Sequence, residues 1–407
     1  GLSKLDSFLQ LFCLFQGPCF FLFPGFLKNV GIVPGILLGG LVTMVYLYLI
    51  SRYFWSERQL KKYDSSIETV SLYSLIELVF SRIGKLPRVG CFLKLYLQYE
   101  IILSWCLGSS MGILFVCRNL KLILRNYGFE ESENMILLYL GLPLITVCFV
   151  PNLETLNKAF YLSTFFIGIV IIETYFYIFS DKHPPQKIPL YGSVDAAPTY
   201  INNMLFSVSI TPLLFLYKNE MKHGKDFSST LGSFNIAVCV TIILSLIFSI
   251  SCNIIYGDLV KENFIENLPN TSLVNISNAI MTITVILNGA VIFYGIFTCL
   301  WDCILEKGVI NQKNVKFYEF MTKSTTYLLI IGVTAIAPAI GSFIDLIACF
   351  SGPYDTMILP AALETVIVWK LSENKRKKMF ILFKNCIIIV FAFAFAVSSL
   401  IDAVIHF

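Results

Sequence analysis

Apolar runs of roughly 20 residues, the length that crosses a bilayer as a helix, recur about eleven times along this chain. They fall near residues 5–27, 31–53, 92–117, 134–151, 156–179, 200–217, 230–256, 274–300, 324–342, 345–369 and 379–403. Of the 407 residues, 57% are hydrophobic and only 14% are charged. Soluble domains carry about 25% charged residues, so the polar covering that so large an apolar core would need in water is missing. The expected class is an all-α integral membrane protein, because each span must satisfy its own backbone hydrogen bonds in lipid and a helix does so internally. Polar, charged or Pro-containing stretches separate the runs, among them 56–90, 181–199, 257–273 and 302–323. None is long enough for a soluble domain. The first shows helical periodicity over 67–80 and is expected to carry a short surface helix. The chain has 12 cysteines, but Cys106, Cys148, Cys239 and Cys349 lie inside apolar runs without metal-ligand spacing, and read as small buried hydrophobes. The numbering opens at Gly1, so an N-terminal tail is expected before it, and no cleavable signal peptide is recognised.

Lys and Arg orient the spans. With the N-terminus placed in the cytoplasm, 22 of the 30 basic residues fall in inside segments and 7 in outside segments; Lys384, at the start of the last span, is left out. The C-terminus then lies on the extracellular or luminal side. The two N-x-S/T sequons, at Asn270 and Asn275, fall in an outside loop and are the glycosylation candidates.

The first span is not a clean helix. Around Gln16-Gly17-Pro18-Cys19 and Pro24-Gly25 it holds two prolines and two glycines within nine residues, which interrupts the hydrogen-bond ladder. Lipid tolerates such a break only where it lines a cavity or is buried in protein. The reading is either a packed kink or a discontinuous helix whose free backbone groups hold a solute; half-helix N-termini suit a carboxylate. The sixth span offers a partner, since Phe206-Ser207-Val208-Ser209-Ile210-Thr211-Pro212 gathers three hydroxyls and a proline. Serine and threonine also back-bond inside ordinary spanning helices. Paired interruptions in the two halves of a chain nevertheless point to a transport site. The halves are then about 1–180 and 200–372 within one transmembrane domain, with the span at 379–403 outside the repeat. The candidate solute-binding residues are Gln16, Gly17, Pro18, Cys19, Phe206, Ser207, Ser209 and Thr211, with Trp105, Asn288 and Tyr294 as candidate pocket walls.

Intramembrane acids are costly and count as functional candidates. Glu100, Glu173, Asp355, Glu364 and Asp402 lie in or near apolar runs. Asp355, Glu173 and Glu364 are the proton-coupling candidates, with Asp355 first because Gly352-Pro353 precedes it. His183 and His223 lie in loops and His406 at the C-terminal end, so no His-based catalytic constellation sits in the membrane. There is no Walker loop and no nucleotide fingerprint. An enzyme, a cofactor, a metal and a nucleic-acid partner are not expected; the expected partners are a small solute, the lipid bilayer and, if coupling operates, protons.

Several blocks resemble the amino acid/auxin permease family, most of all its proton-coupled amino acid transporter branch. Leu22-Phe23-Pro24 followed by Lys28-Asn29-Val30-Gly31-Ile32-Val33 is similar to that branch's G-L-P…K-N-A-G-I-V. Asn219-Glu220-Met221-Lys222 resembles E-N-Q-M-K, and Gly257-Asp258 with Asn267-Leu268-Pro269 resembles G-D…L-N-L-P. Asp345-Leu346…Gly352, then Pro360…Glu364, resembles the tenth span. The blocks run almost end to end in the right order. The resemblance implies about eleven transmembrane helices in a five-plus-five inverted-repeat (LeuT-like) transporter fold with broken helices 1 and 6. It also implies transport of amino acids, often with protons, across plasma or lysosomal/endosomal membranes.

There are departures. The family's small-residue G-x-G falls at Gly17-Pro18-Cys19, its histidine at Gln10, and the acid of its sixth-span motif at Ser209; the tenth span is about four residues shorter between Gly352 and Pro360. Three readings are therefore weighed. The first is a secondary active transporter of amino acids or similar small zwitterionic solutes, working by alternating access. The second is a non-transporting solute sensor or receptor on the same fold. The third, a seven-span chemoreceptor, is disfavoured by the span count.

Overall fold

The computed structural model describes residues 1–405 apart from 17–18, 68, 148, 181–187, 262–263, 270 and 307–313; side chains at 19, 126, 142, 147, 206, 266, 337–351, 399 and 402–405 are also outside the description. Among the described residues all regular structure is helical, with one isolated bridge between Leu2 and Met221. The long helices are α3 (Ile32–Tyr63), α5 (Pro87–Asn126), α7 (Asn157–Ser180), α11 (Ser233–Tyr256), α12 (Ser272–Glu306), α13 (Val315–Pro353) and α15 (Lys375–Ile405). Six helical segments are each long and apolar enough to cross a membrane, and the bent pair α1 (Lys4–Phe15) and α2 (Cys19–Val30) is a seventh. α6 (Glu133–Val147), α8 (Ala197–Val208) with α9 (Leu214–Glu220), α13 and α14 (Leu359–Leu371) occupy the remaining apolar runs. At 1.5 Å per residue, α3, α5 and α12 run about 50–60 Å. Each outruns the ~30 Å hydrocarbon layer and carries a charged end out of it, as α3 does with Arg58, Lys61 and Lys62.

The burial pattern inverts that of a soluble protein. Phe165, Ile172, Phe176 and Phe179 of α7 and Phe380, Phe383, Phe391 and Phe393 of α15 point outward, while Gln10, Gln16, Thr211, Thr241 and Asn253 are buried. The central cluster is aromatic. Phe20 of α2 stacks on Phe248 of α11 at 4.4 Å between ring centroids, and Phe21 and Phe264 meet the same ring edge-on.

Two expectations are corrected. The segment 67–80 holds α4 (Leu72–Leu78), started by a Ser71–Ser74 capping box, and a π-helical turn at Val79–Ile83. It is no surface helix, because Leu75, Ile76 and Val79 are wholly buried and α4 packs on α5. Its apolar stripe finds protein in place of headgroups. The separation of the runs 324–342 and 345–369 is also absent. The backbone is helical from Val315 through Pro353, continues as a π-helical turn at Tyr354–Ile358, and ends with α14. Gly341 and Ser342, at the end of the first of these runs, both keep their backbone N–H groups, so neither interrupts the ladder as a proline would.

A glycine is required at one crossing. Gly31, between α2 and α3, has φ of +87°, and a Cβ there would lie 2.4 Å from the Gly192 nitrogen. Segment 189–193 crosses this corner by backbone hydrogen bonds, among them Gly192 N–H to Val30 O at 3.1 Å and Ile32 N–H to Pro189 O at 2.9 Å.

Candidate functional site

The first and sixth spans are both interrupted. α1 ends at Phe15 with Gln16 as its C-cap, α2 begins at Cys19, and the two are bent by 56°. α8 ends at Val208, Ser209 and Ile210 are non-helical, and a 3₁₀ turn at Thr211–Leu213 leads into α9. The chemistry of the second break is local. Pro212 has no N–H to donate to the carbonyl four residues back, which is that of Val208, and the Tyr46 hydroxyl of α3 donates to this carbonyl at 2.8 Å. At the first break Asn288 of α12 donates from its Nδ2 to Cys13 O at 2.9 Å.

The interrupted spans are antiparallel neighbours. Leu2, just before α1, donates to Glu220 O at 2.9 Å and accepts from Lys222 N–H at 3.0 Å, just after α9; beyond the breaks, α2 packs on α8. From the Leu2–Met221 bridge, each break lies about 15–20 Å along its helix, so the two stand at similar depth. α11 runs alongside the whole first span. Ser233 Oγ donates to Ser7 Oγ at 3.0 Å near one end, and Asn253 Nδ2 donates to Pro24 O at 2.9 Å near the other. Between these pins, Thr241, Ser245 and Ser249, four residues apart on one helix face, pass the break. All three are at most 1% exposed, and their hydroxyls have no hydrogen-bond partner among the described residues. The same holds for both ends of the Gln16 amide and for Thr211 Oγ1, with residue exposures of 1% and 0%. A buried polar group left unpaired costs about 1–3 kcal/mol. Several gathered at two helix breaks form a set of donors and acceptors suited to a polar, small solute.

The structure sorts the sequence candidates. Gln16, Thr211 and Asn288 stand at the breaks, and Ser209 lies half-buried within the second. Ser207 is turned back, its hydroxyl donating to Met204 O at 2.7 Å. Gly17 and Pro18 lie outside the described residues, as do the side chains of Cys19 and Phe206. Trp105 of α5 packs by Gly295 of α12, where an added Cβ would be 3.0 Å from the indole and 2.5 Å from Leu213. Tyr294 stands away from the breaks, at the C-terminal end of α9, where it donates to Glu220 Oε1 at 2.9 Å. Glu220 also accepts from Leu153 N–H at 3.3 Å. Gln10, at the family's histidine position, is buried and donates to Leu153 O at 2.9 Å and Asn157 Oδ1 at 2.6 Å, which ties α1 to the start of α7. Of the glycosylation candidates, Asn275 lies in the first turn of α12 and Asn270 is outside the described residues.

The three acids meet different surroundings. Glu364 of α14 is 2% exposed and sits between two cations, Lys384 at 2.5 Å and Arg52 at 3.5 Å. Glu173 of α7 accepts from the Ser277 hydroxyl of α12. Asp355 lies 5% exposed in the π-helical turn, with its carbonyl accepting from Tyr53 O–H at 2.6 Å. The set Thr241, Ser245 and Ser249 was missed in the sequence. Its spacing of four was there to see, but hydroxyls at helical spacing are common in spanning helices, and only the neighbour they face makes them distinctive.

The profile of the family described as "Transmembrane amino acid transporter protein" matches residues 1–405. Over 299 residues the chain is 21% identical to the "Proton-coupled amino acid transporter-like protein pathetic" of Drosophila melanogaster, a match that covers 72% of this chain and 62% of that protein. The chain thus spans less than two thirds of the length of this curated relative. Among solved structures it is similar to the manganese transporter of Eremococcus coleocola. A mutant of that transporter matches at TM-score 0.52 and 9% identity, over 98% of this chain and 94% of the other. The same transporter in complex with an aromatic bis-isothiourea substituted compound matches at TM-score 0.51 and 9% identity over the same shares. At this identity the likeness is one of fold, an all-helical LeuT-like transporter. With residues 1–405 matched by one family profile, this multi-pass membrane protein belongs to the transmembrane amino acid transporter family.

Proposed function

We propose that the chain is a secondary active transporter of amino acids or similar small zwitterionic solutes, held where the breaks in spans 1 and 6 face each other. The observation that carries this reading is the group of buried, unpartnered polar side chains, Gln16, Thr211, Thr241, Ser245 and Ser249, around two adjacent interruptions. A zwitterion offers both acceptors and donors to such a group, and the half-helix N-termini favour its carboxylate. Alternating access then follows from rocking of the two halves, about 1–180 and 200–372, with the N-terminus cytoplasmic. The membrane is the plasma membrane or a lysosomal/endosomal one. Proton coupling, where it operates, uses Asp355 first, because Gln10 and Ser209 cannot titrate, Glu364 is held in ion pairs with Lys384 and Arg52, and Glu173 is held by the Ser277 hydroxyl.

The test is uptake by reconstituted protein across a panel of amino acids, with and without a pH gradient. Saturable uptake of at least one amino acid supports the reading. Saturable binding without net flux would replace it with a solute sensor on the same fold, a reading favoured by Gln10, which is fixed by hydrogen bonds where the family has a titrating group.

A further inference from the structure

A slot of about 200 Å³ separates the second half of span 6 from α12. Each wall shows the spacing of one helix face, from Pro212 to Asn219 on span 6 and from Gly295 to Asp302 on α12. Seven residues of helix rise about 10 Å. The slot therefore leads from Pro212, at the second break, to the polar ends of both helices. There Ser71 and Tyr73, at the start of α4, form its third side. Asn219 is exposed at this end, whereas Pro212 and Gly295 are half-buried. With the N-terminus inside, the polar end faces the cytoplasm.

One acid stands in the slot at this end. Asp302 is half-buried, and its carboxylate accepts from the Tyr73 hydroxyl. A carboxylate offers about four lone-pair sites, so one phenol leaves most of its capacity unused. Among the described residues Asp302 has no ion-pair partner. Lys94 of α5 is committed to Glu77 at 2.9 Å and to Glu306 at 2.8 Å, and Glu306 lies one turn beyond Asp302 on α12. Three carboxylates thus share this corner with one ammonium. A cleft lined by one sign of charge concentrates ions of the other sign. The neutral polar groups of the slot are already engaged. Asn219 Nδ2 donates to Val70 O at 3.3 Å, the Ser71 hydroxyl meets that of Ser74 at 2.5 Å, and Thr298 Oγ1 donates to Gly295 O at 2.9 Å. Asp302 is the group left with both charge and acceptor capacity.

We propose that the slot is the cytoplasmic opening to the break in span 6, with Asp302 as a subsite for the ammonium group of the solute. The ligand class is a small primary amine, of which an amino acid is one. Its ammonium group donates charge-assisted hydrogen bonds to the Asp302 carboxylate, and its apolar part lies along Phe215 and Leu216 toward Pro212. Tyr73 acts as a positioning residue, fixing the carboxylate at the mouth from a helix that is itself buried against α5. The direction of travel rests on the transport reading; the ammonium subsite does not.

The experiment has two arms. In the first, full-length Thr298→Cys is treated in cells with an impermeant thiol reagent, and mass spectrometry reads labelling at position 298. Labelling should need permeabilisation; labelling of intact cells, or none in either case, would overturn the cytoplasmic slot. Butylammonium should then slow the reaction and butyrate should not. Adding Asp302→Asn, which keeps the side-chain size and an acceptor for Tyr73, should raise the butylammonium needed by about tenfold, the low end for a hydrogen bond to a charged group. Adding Tyr73→Phe, which keeps the carboxylate, should leave protection in place. Monodisperse elution on size exclusion checks that each variant folds. Protection by butyrate as well, or protection unchanged in Asp302→Asn, would overturn the ammonium subsite. In the second arm, transport of the amino acid most active in the panel is measured from each face of the membrane. Asp302→Asn should raise the half-saturating concentration about tenfold on the cytoplasmic face and leave the other face unchanged. An equal change on both faces would refute the role in the path. If the wild type transports nothing, the transport reading fails, and the labelling arm still decides the subsite.

Discussion

Replacing Ser245 by alanine should stabilise the ligand-free protein and weaken its hold on solute, two effects of opposite sign from one hydroxyl. Ser245 is 1% exposed on the face of α11 that passes the first break, and its hydroxyl has no partner among the described residues. Keeping such a group buried and unpaired costs about 1–3 kcal/mol, which Ser245→Ala removes along with a small gain in helix propensity of about 0.5 kcal/mol. The cavity left by one oxygen atom is too small to cancel this. In the solute-bound protein the hydroxyl donates to, or accepts from, the solute. Losing a net hydrogen bond of about 0.5–1.5 kcal/mol weakens binding about 2- to 12-fold. Thermal unfolding in detergent, followed without solute and across a titration of it, reads both. The apparent Tm of the variant should start at or above the wild-type value, and its solute-dependent rise should need about 2- to 12-fold more solute. A variant that is less stable without solute by more than about 1 kcal/mol and binds with unchanged affinity would refute the assignment, because the hydroxyl would then be paired within the protein and irrelevant to the solute.

Tyr46→Phe should lower stability by about 1–3 kcal/mol, since the Val208 carbonyl freed by Pro212 loses its donor inside the bundle; thermal unfolding measures this, and an unchanged Tm would show that the break is satisfied otherwise. Glu364→Gln leaves Lys384 and Arg52 without their carboxylate. With those side chains 22% and 25% exposed, the loss should sit at or below the low end of the buried-pair range, about 3 kcal/mol, and should appear as reduced Tm with gradient dependence of uptake intact. Cysteines introduced in loop 257–273 should react with impermeant label from outside and those in 302–323 only after permeabilisation. The opposite pattern in both loops would end the N-inside orientation.

Much of the fold was legible because the bilayer imposes a coarse rule on sequence. A spanning helix must be apolar over some 20 residues, and Pro18, Pro24 and Pro212 remove backbone donors wherever they stand. The interruption at Ser209–Ile210 was therefore readable from Thr211-Pro212 alone, and so was the need for something to take up the Val208 carbonyl. That Tyr46 takes it was not readable, since residues 162 apart in sequence have no local signal of contact. The misplaced surface helix has the same origin: an amphipathic stripe states that one face will be covered, but not whether lipid headgroups or α5 will cover it. The unbroken backbone between the runs 324–342 and 345–369 shows the converse limit, since Pro338 and Pro353 lie within one continuous helix there and a proline states a lost donor without stating that the helix ends.

The sequence by itself determined that this chain lives in a membrane, that spans 1 and 6 carry helix-interrupting residues, and that a few acids lie in or near apolar runs. Each of these depends on local composition and on which residues lack a backbone donor. Only the tertiary structure decided which acid is which. Glu364 is held between Arg52 and Lys384, Glu173 takes a serine hydroxyl, and Asp355 sits buried in the π-helical turn. It also brought the hydroxyls of α11 past the first break, pinned by Ser7 and Pro24. The physical reason is that a polar group's role inside a low-dielectric bundle is set by the groups it meets across space, and those come from helices far apart in the chain.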